Sequence, residues 1–367
     1  MLYNWQIQGW PNFTYNLKEI QHLVVRFAHE TGEVNGIVQA LPDNLQQETL
    51  LQLMLAEAVK TSEIEGEFVS REDVISSIRN NLGLNETLVP VKDLQAAGVA
   101  QLMVEVRKSF QEPLSTAMLK QWHKFLMTGS SHIKAGEWRK GTATMQVVSG
   151  AYSSETVHFE APPSSKVPSQ MEKFLTWFNL AASETEGDVA QALLKSAVAH
   201  LYFESIHPFK DGNGRIGRAI AEKALSQSLK RPVMLSLSKT IEKNKKAYYE
   251  ELKKAQCTLE ITDWIKYFAT VTLEAQVDAK LMVQFSLKKA RYFEQYKNQL
   301  NDRQLKAVNK MLDKGAEGFE GGMTAKKYMA ITGASKATAT RDLQYLYEIG
   351  ALVVEGAGRS VRYGLGF

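Results

Sequence analysis

His207-Pro208-Phe209-Lys210-Asp211-Gly212-Asn213-Gly214-Arg215-Ile216-Gly217-Arg218 is the stretch whose reading decides the fold. Just before it, Val189, Ala192, Leu193, Ser196, Ala197 and His200 recur at helical spacing and give a face of small residues. Just after it, Ile216, Ala219, Ile220 and Ala224 fall on one side of a second helix that starts near Asn213. The stretch therefore reads as helix, short loop, helix. Asn213 stands where an N-cap is expected, and Gly212 and Gly214 allow a tight turn with bare amides. A helix N-terminus with free N–H groups attracts anions. Arg215 and Arg218 lie three apart and so share a helix face. Two guanidiniums above an amide nest describe a polyphosphate cradle. Asp211 adds a hard oxygen ligand suited to Mg²⁺ shared with phosphates. His207, at the mouth of the loop, is a side chain that takes a proton near neutral pH.

A lone Gly-Asn-Gly would be a turn and nothing more. Here the eight specified positions of His-Pro-Phe-x-x-Gly-Asn-Gly-Arg-x-x-Arg stand together between two helical patterns. That string resembles the signature of the Fic family, helical enzymes that mostly transfer AMP from ATP to a protein hydroxyl. The resemblance implies His207 as general base and Asp211 as the Mg²⁺ ligand. It implies Gly212, Asn213, Gly214, Arg215 and Arg218 as phosphate binders, with Phe209 anchoring the loop to the core.

Upstream, Leu50, Leu51, Met54, Leu55, Ala58 and Val59 form a broad apolar helical stripe that runs into Lys60-Thr61-Ser62-Glu63-Ile64-Glu65-Gly66. Thr61 and Glu65 are four apart on one face, and Gly66 supplies a stop. A carboxylate at a helix C-terminus opposes the helix dipole and is better placed against an outside cation. This ending resembles the inhibitory helix of Fic proteins. The resemblance pairs Glu65 with Arg218, which takes that arginine away from the γ-phosphate.

The remaining chain frames these motifs. Tyr3, Trp5, Trp10, Phe13 and Tyr15 make an aromatic start, read as a hydrophobic flap sealing the helices behind it. Asn16 to Glu19 has the form of a capping box, and Ser70 with Asp73 opens a helix that Gly83 ends. Pro113 to Gly129 carries Leu114, Met118, Trp122, Phe125 and Leu126, a helix opening the Fic-like region. Met145, Val147 and Val148, a turn at Ser149-Gly150, and Val157 to Phe159 read as a β-hairpin. The resemblance makes this hairpin a flap that grips a target segment by strand addition. Ile241 to Leu252 reads as one helix, and the resemblance places it near the adenine, which makes Asn244, Tyr248 and Tyr249 candidate nucleotide contacts. A long polar helix is expected from Gln276 to Tyr296. After it come helices at 301–312, 324–331 and 335–349 and a hairpin from Leu352 through a turn at Glu355 to Gly358 to Tyr363. Three helices and a wing resemble a winged-helix domain, with Ser335, Lys336, Thr338, Thr340 and Arg341 facing outward at the recognition helix.

The expected fold is thus mainly α: a helical N-terminal region (1–112), a catalytic core with a β-hairpin flap (113–280), and a linker helix with a small winged helix-turn-helix (281–367). The 367 residues suffice for several cores. The single cysteine, Cys257, excludes an intramolecular disulfide and a cysteine-built zinc site. The lack of a signal-like start and of a long apolar run points to the cytoplasm and away from membranes. The net charge of +4 is small, but from Phe285 onward 14 Lys and Arg face 8 Asp and Glu, a net of +6. That asymmetry is a hint of a nucleic-acid or acidic partner. The resemblance implies a protein adenylyltransferase using ATP and Mg²⁺ on a protein Ser, Thr or Tyr hydroxyl, held in check by Glu65. Removal of AMP from modified proteins and a DNA-binding regulator with a sensor core remain open, as do self-modification, a homodimer and DNA at the C-terminal part.

Overall fold

The computed structural model describes all residues except 1, 131, 150–155, 185–187, 316–317 and 357–360. It is mainly helical: α1 Gln21–Ala40, α2 Asp43–Ile64, α3 Arg71–Leu82, α4 Leu94–Lys108, α5 Thr116–Leu126, α6 Val167–Glu184, α7 Val189–Ile206, α8 Asn213–Ser228, α9 Leu237–Lys243, α10 Lys245–Ala255, α11 Thr262–Tyr296, α12 Asp302–Leu312, α13 Ala325–Thr332 and α14 Lys336–Glu348. Two antiparallel pairs complete it, β1 (Gln146–Ser149) with β2 (Thr156–Glu160) and β3 (Leu352–Glu355) with β4 (Arg362–Leu365). The turn expected at Gly150 and part of the one expected before Gly358 lie outside the described residues. Among the described residues no helix is long and apolar enough to cross a membrane.

The chain forms two compact units, residues 1–33 with 50–279, and residues 34–49 with 280–367. In the first, α7 and α8 are the central pair. Every residue of α7 from Ala192 to Ile206 is buried, so the helix is enclosed on all sides, with Lys195, His200 and Glu204 among the enclosed groups. Its small residues Ala197 and Ala199 and those of α8, Ala219, Ala221 and Ala224, are fully or almost fully buried. Gly217 is required at this contact, because a Cβ there would run into Glu204 Oε1 and lie 3.1 Å from the His200 ring. Trp122 of α5, Phe174 and Phe178 of α6, and Phe203 and Phe209 complete the core. The aromatic start packs as a flap: Trp10 meets Phe13 and Tyr202 edge-on, Tyr3 meets Phe159 of β2, and Trp5 Nε1 donates to the Glu160 carbonyl at 2.7 Å.

Three local expectations are corrected. Asn16 accepts from Lys18 N and opens a short 3₁₀ turn, Leu17–Ile20, without the Glu19 half of a capping box. The segment from Ile241 to Leu252 is two helices broken at Asn244, whose side chain accepts from Ala247 N and starts α10. The helix expected from Gln276 begins at Thr262, because Trp264, Ile265, Phe268 and Val271 extend its buried stripe backwards.

In the second unit, α12, α13 and α14 enclose Val308, Met311, Tyr328, Leu343 and Leu346, with Leu352 of β3 closing the core. Asn301, Thr324 and Ser335 cap the three helices. Asp342 turns inward from α14, accepting from Arg303 Nε at 2.6 Å and from Tyr328 Oη at 2.8 Å.

A buried acid ties α2 to the start of α9 and lies near Glu222 of α8. Glu57 accepts from Ser236 Oγ (2.7 Å), Ser238 N (2.9 Å) and Ser238 Oγ. Burial and the nearby Glu57 push the Glu222 carboxyl up to about 8, against the pull of Arg107. Above the ordinary carboxyl value of 4.5 and below about 8, the folded state keeps a proton that the unfolded chain has lost. Glu222 therefore removes stability as pH rises through that window. Chemical denaturation across pH 5 to 8 should show wild type losing stability relative to Glu222→Gln, by at most about 1.4 kcal/mol per pH unit. Parallel curves would mean that Glu222 is ionised in the fold.

Candidate active site

The loop from His207 to Gly212 is closed by one side chain. Asn213 is the first residue of α8, and its carboxamide accepts from Phe209 N and donates to Phe209 O, both at 2.9 Å. The N-cap is Gly212, at φ +79, and it gives no side-chain cap. The expectation of Asn213 as N-cap is thus corrected: the side chain spans the loop instead of folding over the helix start. Phe209 is fully buried, stacked 4.1 Å from the His123 ring and 4.7 Å from Trp138. His123 Nδ1 accepts from Gly136 N at 2.7 Å, and burial pushes its imidazole down to about 4, so it is neutral.

His207 caps α7 in the left-handed conformation, φ +49 and ψ +60. Arg139 holds that turn. Its Nε donates to the His207 carbonyl at 2.7 Å, and its other nitrogens reach Pro162 O at 2.6 Å, Ile206 O at 3.2 Å and Ser164 Oγ at 2.9 Å. With only neutral oxygens around it, burial lowers its guanidinium to about 10. The His207 ring turns Nδ1 towards Glu204 Oε2, 3.6 Å away.

The two arginines of the loop helix are both buried and meet different acids. Arg218 is 1% exposed. Its Nε donates to Thr61 Oγ1 at 2.8 Å, and one terminal nitrogen reaches the Thr61 carbonyl at 2.9 Å and Glu65 Oε1 at 2.7 Å. Burial works against its charge, but Glu65 and the phenols of Tyr248 and Tyr249 outweigh it, and the guanidinium lies above its ordinary value. Arg215 pairs with Glu67 and lies 3.7 Å from Asp211. Burial raises the Glu67 carboxyl, Arg215 opposing. Asp211 is half exposed, and its Oδ1 accepts from Gly212 N at 2.6 Å. Gly66 follows Glu65 at φ +82 and turns the chain out of α2.

Gly214 is needed here for access rather than for its dihedrals. A Cβ on it would run into Glu65 Oε1 and sit 3.0 Å from Glu65 Cδ and 3.1 Å from the free nitrogen of Arg218. The bare first turn of α8 is the gap through which the Glu65 carboxylate reaches the arginine.

The adenine-side candidates separate. Tyr248 is buried with Oη 2.7 Å from His200 Nε2, and burial pushes its phenol well up. Tyr249 is partly exposed, reaches the Ile64 carbonyl at 3.5 Å, and is raised by burial and by Glu65. Asn244 is exposed and occupied as the cap of α10. Sequence reasoning missed Glu67, Glu204, Arg139 and His123. Glu204 had a signal, since it precedes His207 by three positions and so shares its helix face. The others had none, because their partners are distant in the chain.

Residues 113–225 match the Fic/DOC family, and residues 3–84 match a domain family of unknown function, DUF4172. A protein of Aquifex aeolicus named probable protein adenylyltransferase is 29% identical over 161 residues, 44% of this chain and 43% of that protein, so the chain spans less than half of that relative. A Fic family protein from Desulfovibrio desulfuricans shares the fold at TM-score 0.51 and 19% identity, over 97% of this chain and 98% of that one. A Fic domain containing signaling protein from Bacteroides thetaiotaomicron does so at TM-score 0.52 and 17% identity, over 72% and 97%.

The contact at Gly214 is testable by stability alone. Gly214→Ala should lower the melting temperature by displacing Glu65 from Arg218, at a cost of about 1–3 kcal/mol for an overpacked site. In a Glu65→Ala background, where that carboxylate is gone, most of the cost should vanish. Equal costs in both backgrounds would show that Glu65 does not sit over Gly214.

Proposed function

We propose that this chain, whose residues 113–225 match the Fic/DOC family, is a protein adenylyltransferase that moves AMP from ATP to a Ser, Thr or Tyr hydroxyl of a target protein, with Glu65 restraining it. One observation carries this reading. Arg218 is a buried cation at the base of an amide-lined helix start, and its present partner is a carboxylate from the residue just past α2. A site built to hold an anion at that place suits a polyphosphate.

His207 accepts the proton of the target hydroxyl. The hydroxyl oxygen bonds to the α-phosphorus of ATP while the bond to the β-phosphate oxygen breaks, and pyrophosphate leaves with that electron pair. The α8 amides, Arg215 and Arg218 hold the charge that develops. Asp211 fits a Mg²⁺ ion shared with phosphates, because such an ion takes few protein oxygens and keeps several waters. When bound it supplies charge neutralisation on the leaving phosphates. Tyr249, beside Glu65, and Asn244 are the nucleotide contacts this reading retains at the surface. Tyr248 is buried with its hydroxyl on His200 and is not retained as a nucleotide contact.

AMP incorporation at equal ATP and Mg²⁺ tests the reading. Glu65→Gly should raise it by roughly tenfold to a hundredfold, since a charge-assisted contact contributes about 1.5–3 kcal/mol. His207→Ala should lose about 10² to 10⁴ in rate while still binding ATP. An unchanged or lower rate in a folded Glu65→Gly protein removes the restraint from the proposal. Wild type that strips AMP from a modified target would identify the opposite reaction.

A second reading concerns residues 280–367, which resemble a winged helix with its recognition helix at α14. Asp342, the acid in the middle of α14, is buried against Arg303 and Tyr328. The exposed positions of its first turns are then Ser335, Lys336, Ala337, Thr340 and Arg341, with no carboxylate among them. Such a face suits duplex DNA, with two cations for phosphates and hydroxyls for base edges. The full chain should shift short random duplexes at low salt, weakening as salt rises, and Arg341→Ala should weaken binding further. No shift at low salt would leave this face to a protein partner.

A further inference from the structure

Glu204 sits where the stability of the fold argues against it. It lies in the last turn of α7, where the helix dipole disfavours a carboxylate. It is 5% exposed, and burying a carboxylate costs several kcal/mol unless it is paired. Yet it makes no ordinary ion pair with Lys or Arg among the described residues, and its Oε1 has no hydrogen-bond partner. The groups facing it are few. His207 Nδ1 is 3.6 Å from its Oε2, an ion-pair distance longer than a hydrogen bond, and Nδ1 has no hydrogen-bond partner of its own. His200 lies beside it across Gly217, with Nε2 committed to Tyr248 Oη. Arg218 is an electrostatic neighbour, but its bonds go to Thr61 and Glu65. Burial raises the Glu204 carboxyl, but His207, His200 and Arg218 outweigh it and hold the group below its ordinary value. An apolar residue would fill this position at less cost.

We infer that Glu204 is the positioning residue for His207: it fixes the imidazole with the proton on Nδ1, leaving the Nε2 lone pair to take the proton of the attacking hydroxyl. The inference rests on the adenylyltransferase reading for its consequence, but not for its geometry. Arg139 fixes the backbone of His207 through the carbonyl, and Glu204 fixes the ring. Without the carboxylate, a neutral imidazole is free to carry its proton on Nε2, and in that tautomer it cannot act as base from that atom. The logic is that of any acid–imidazole pair, in which the acid orients the base and does not itself move the proton. Glu204 touches neither the nucleotide nor the target hydroxyl.

The experiment uses the full chain with Glu204→Leu, which keeps bulk and apolar fit, and Glu204→Gln, which keeps an acceptor without the charge. Nitrogen-15 shifts of His207, assigned by comparison with His207→Ala, report which ring nitrogen carries the proton. Wild type should hold it on Nδ1, and Glu204→Leu should move a large part to Nε2. Glu204→Leu should be as stable as wild type or more so, a result that a purely structural role would reverse. AMP transfer, measured in a Glu65→Gly background, should fall roughly tenfold to a thousandfold in kcat with little change in KM for ATP. Glu204→Gln should recover part of that loss. An unchanged His207 tautomer in Glu204→Leu, or a large loss of stability with a normal kcat, overturns the inference. A shifted tautomer with no AMP transfer even in the Glu65→Gly parent would keep the Glu204–His207 pair and reject the adenylyltransferase reading instead.

Discussion

Two guanidiniums buried within the first turns of one helix are the constraint on which the site depends. A buried cation needs counter-charges, since an isolated one would lose its hydration without return. Arg215 and Arg218 are both almost fully enclosed. Their acids come from one place, the three residues just beyond α2. Glu65 and the Thr61 hydroxyl and carbonyl serve Arg218, and Glu67 serves Arg215. The end of α2 is thereby fastened over the start of α8. Gly214 follows from the same constraint, because any side chain there would keep the carboxylate out.

The second organising feature is the loop between α7 and α8, held from three sides. Asn213 ties its middle back to Phe209, Phe209 is stacked on a neutral His123, and Arg139 grips the carbonyls at the end of α7. Each device satisfies backbone groups that a sharp turn would leave unpaired. Together they fix where the His207 backbone and the α8 amides lie before any ligand arrives. Preorganisation of this kind lets a site stabilise charge without rearranging during the reaction.

On the proposed reading, a site closed by its own carboxylates is also a site with a stored response. Glu65 and a phosphate would compete for one arginine nitrogen, and the outcome depends on their relative charge and fit. Glu204 shows the same trade in another form, a charge retained in the core against the preference of helix dipole and burial. Functional residues are where local rules are broken, and the breakage itself marks them.

Much of this was legible in the sequence. The helical spacing around His207 to Arg218 determined the two helices, and Gly212 and Gly214 determined a tight, bare turn. The apolar stripe of α2 ending at Gly66 placed Thr61 and Glu65 on one face, because helical periodicity acts over four residues and is local. Ser70 marked a helix start for the same reason, and the helices expected from 301, 324 and 335 begin at the caps Asn301, Thr324 and Ser335. The tertiary structure alone decided what those faces meet. Glu67 meets Arg215 across 148 residues, and Arg139 meets the His207 carbonyl across 68. Asn213 gave up the cap for a bond to Phe209, and Asn244 broke one expected helix into two. Local propensity sets which conformations a segment favours, but a buried charge or an unpaired amide is settled by whichever partner the packed chain brings within reach.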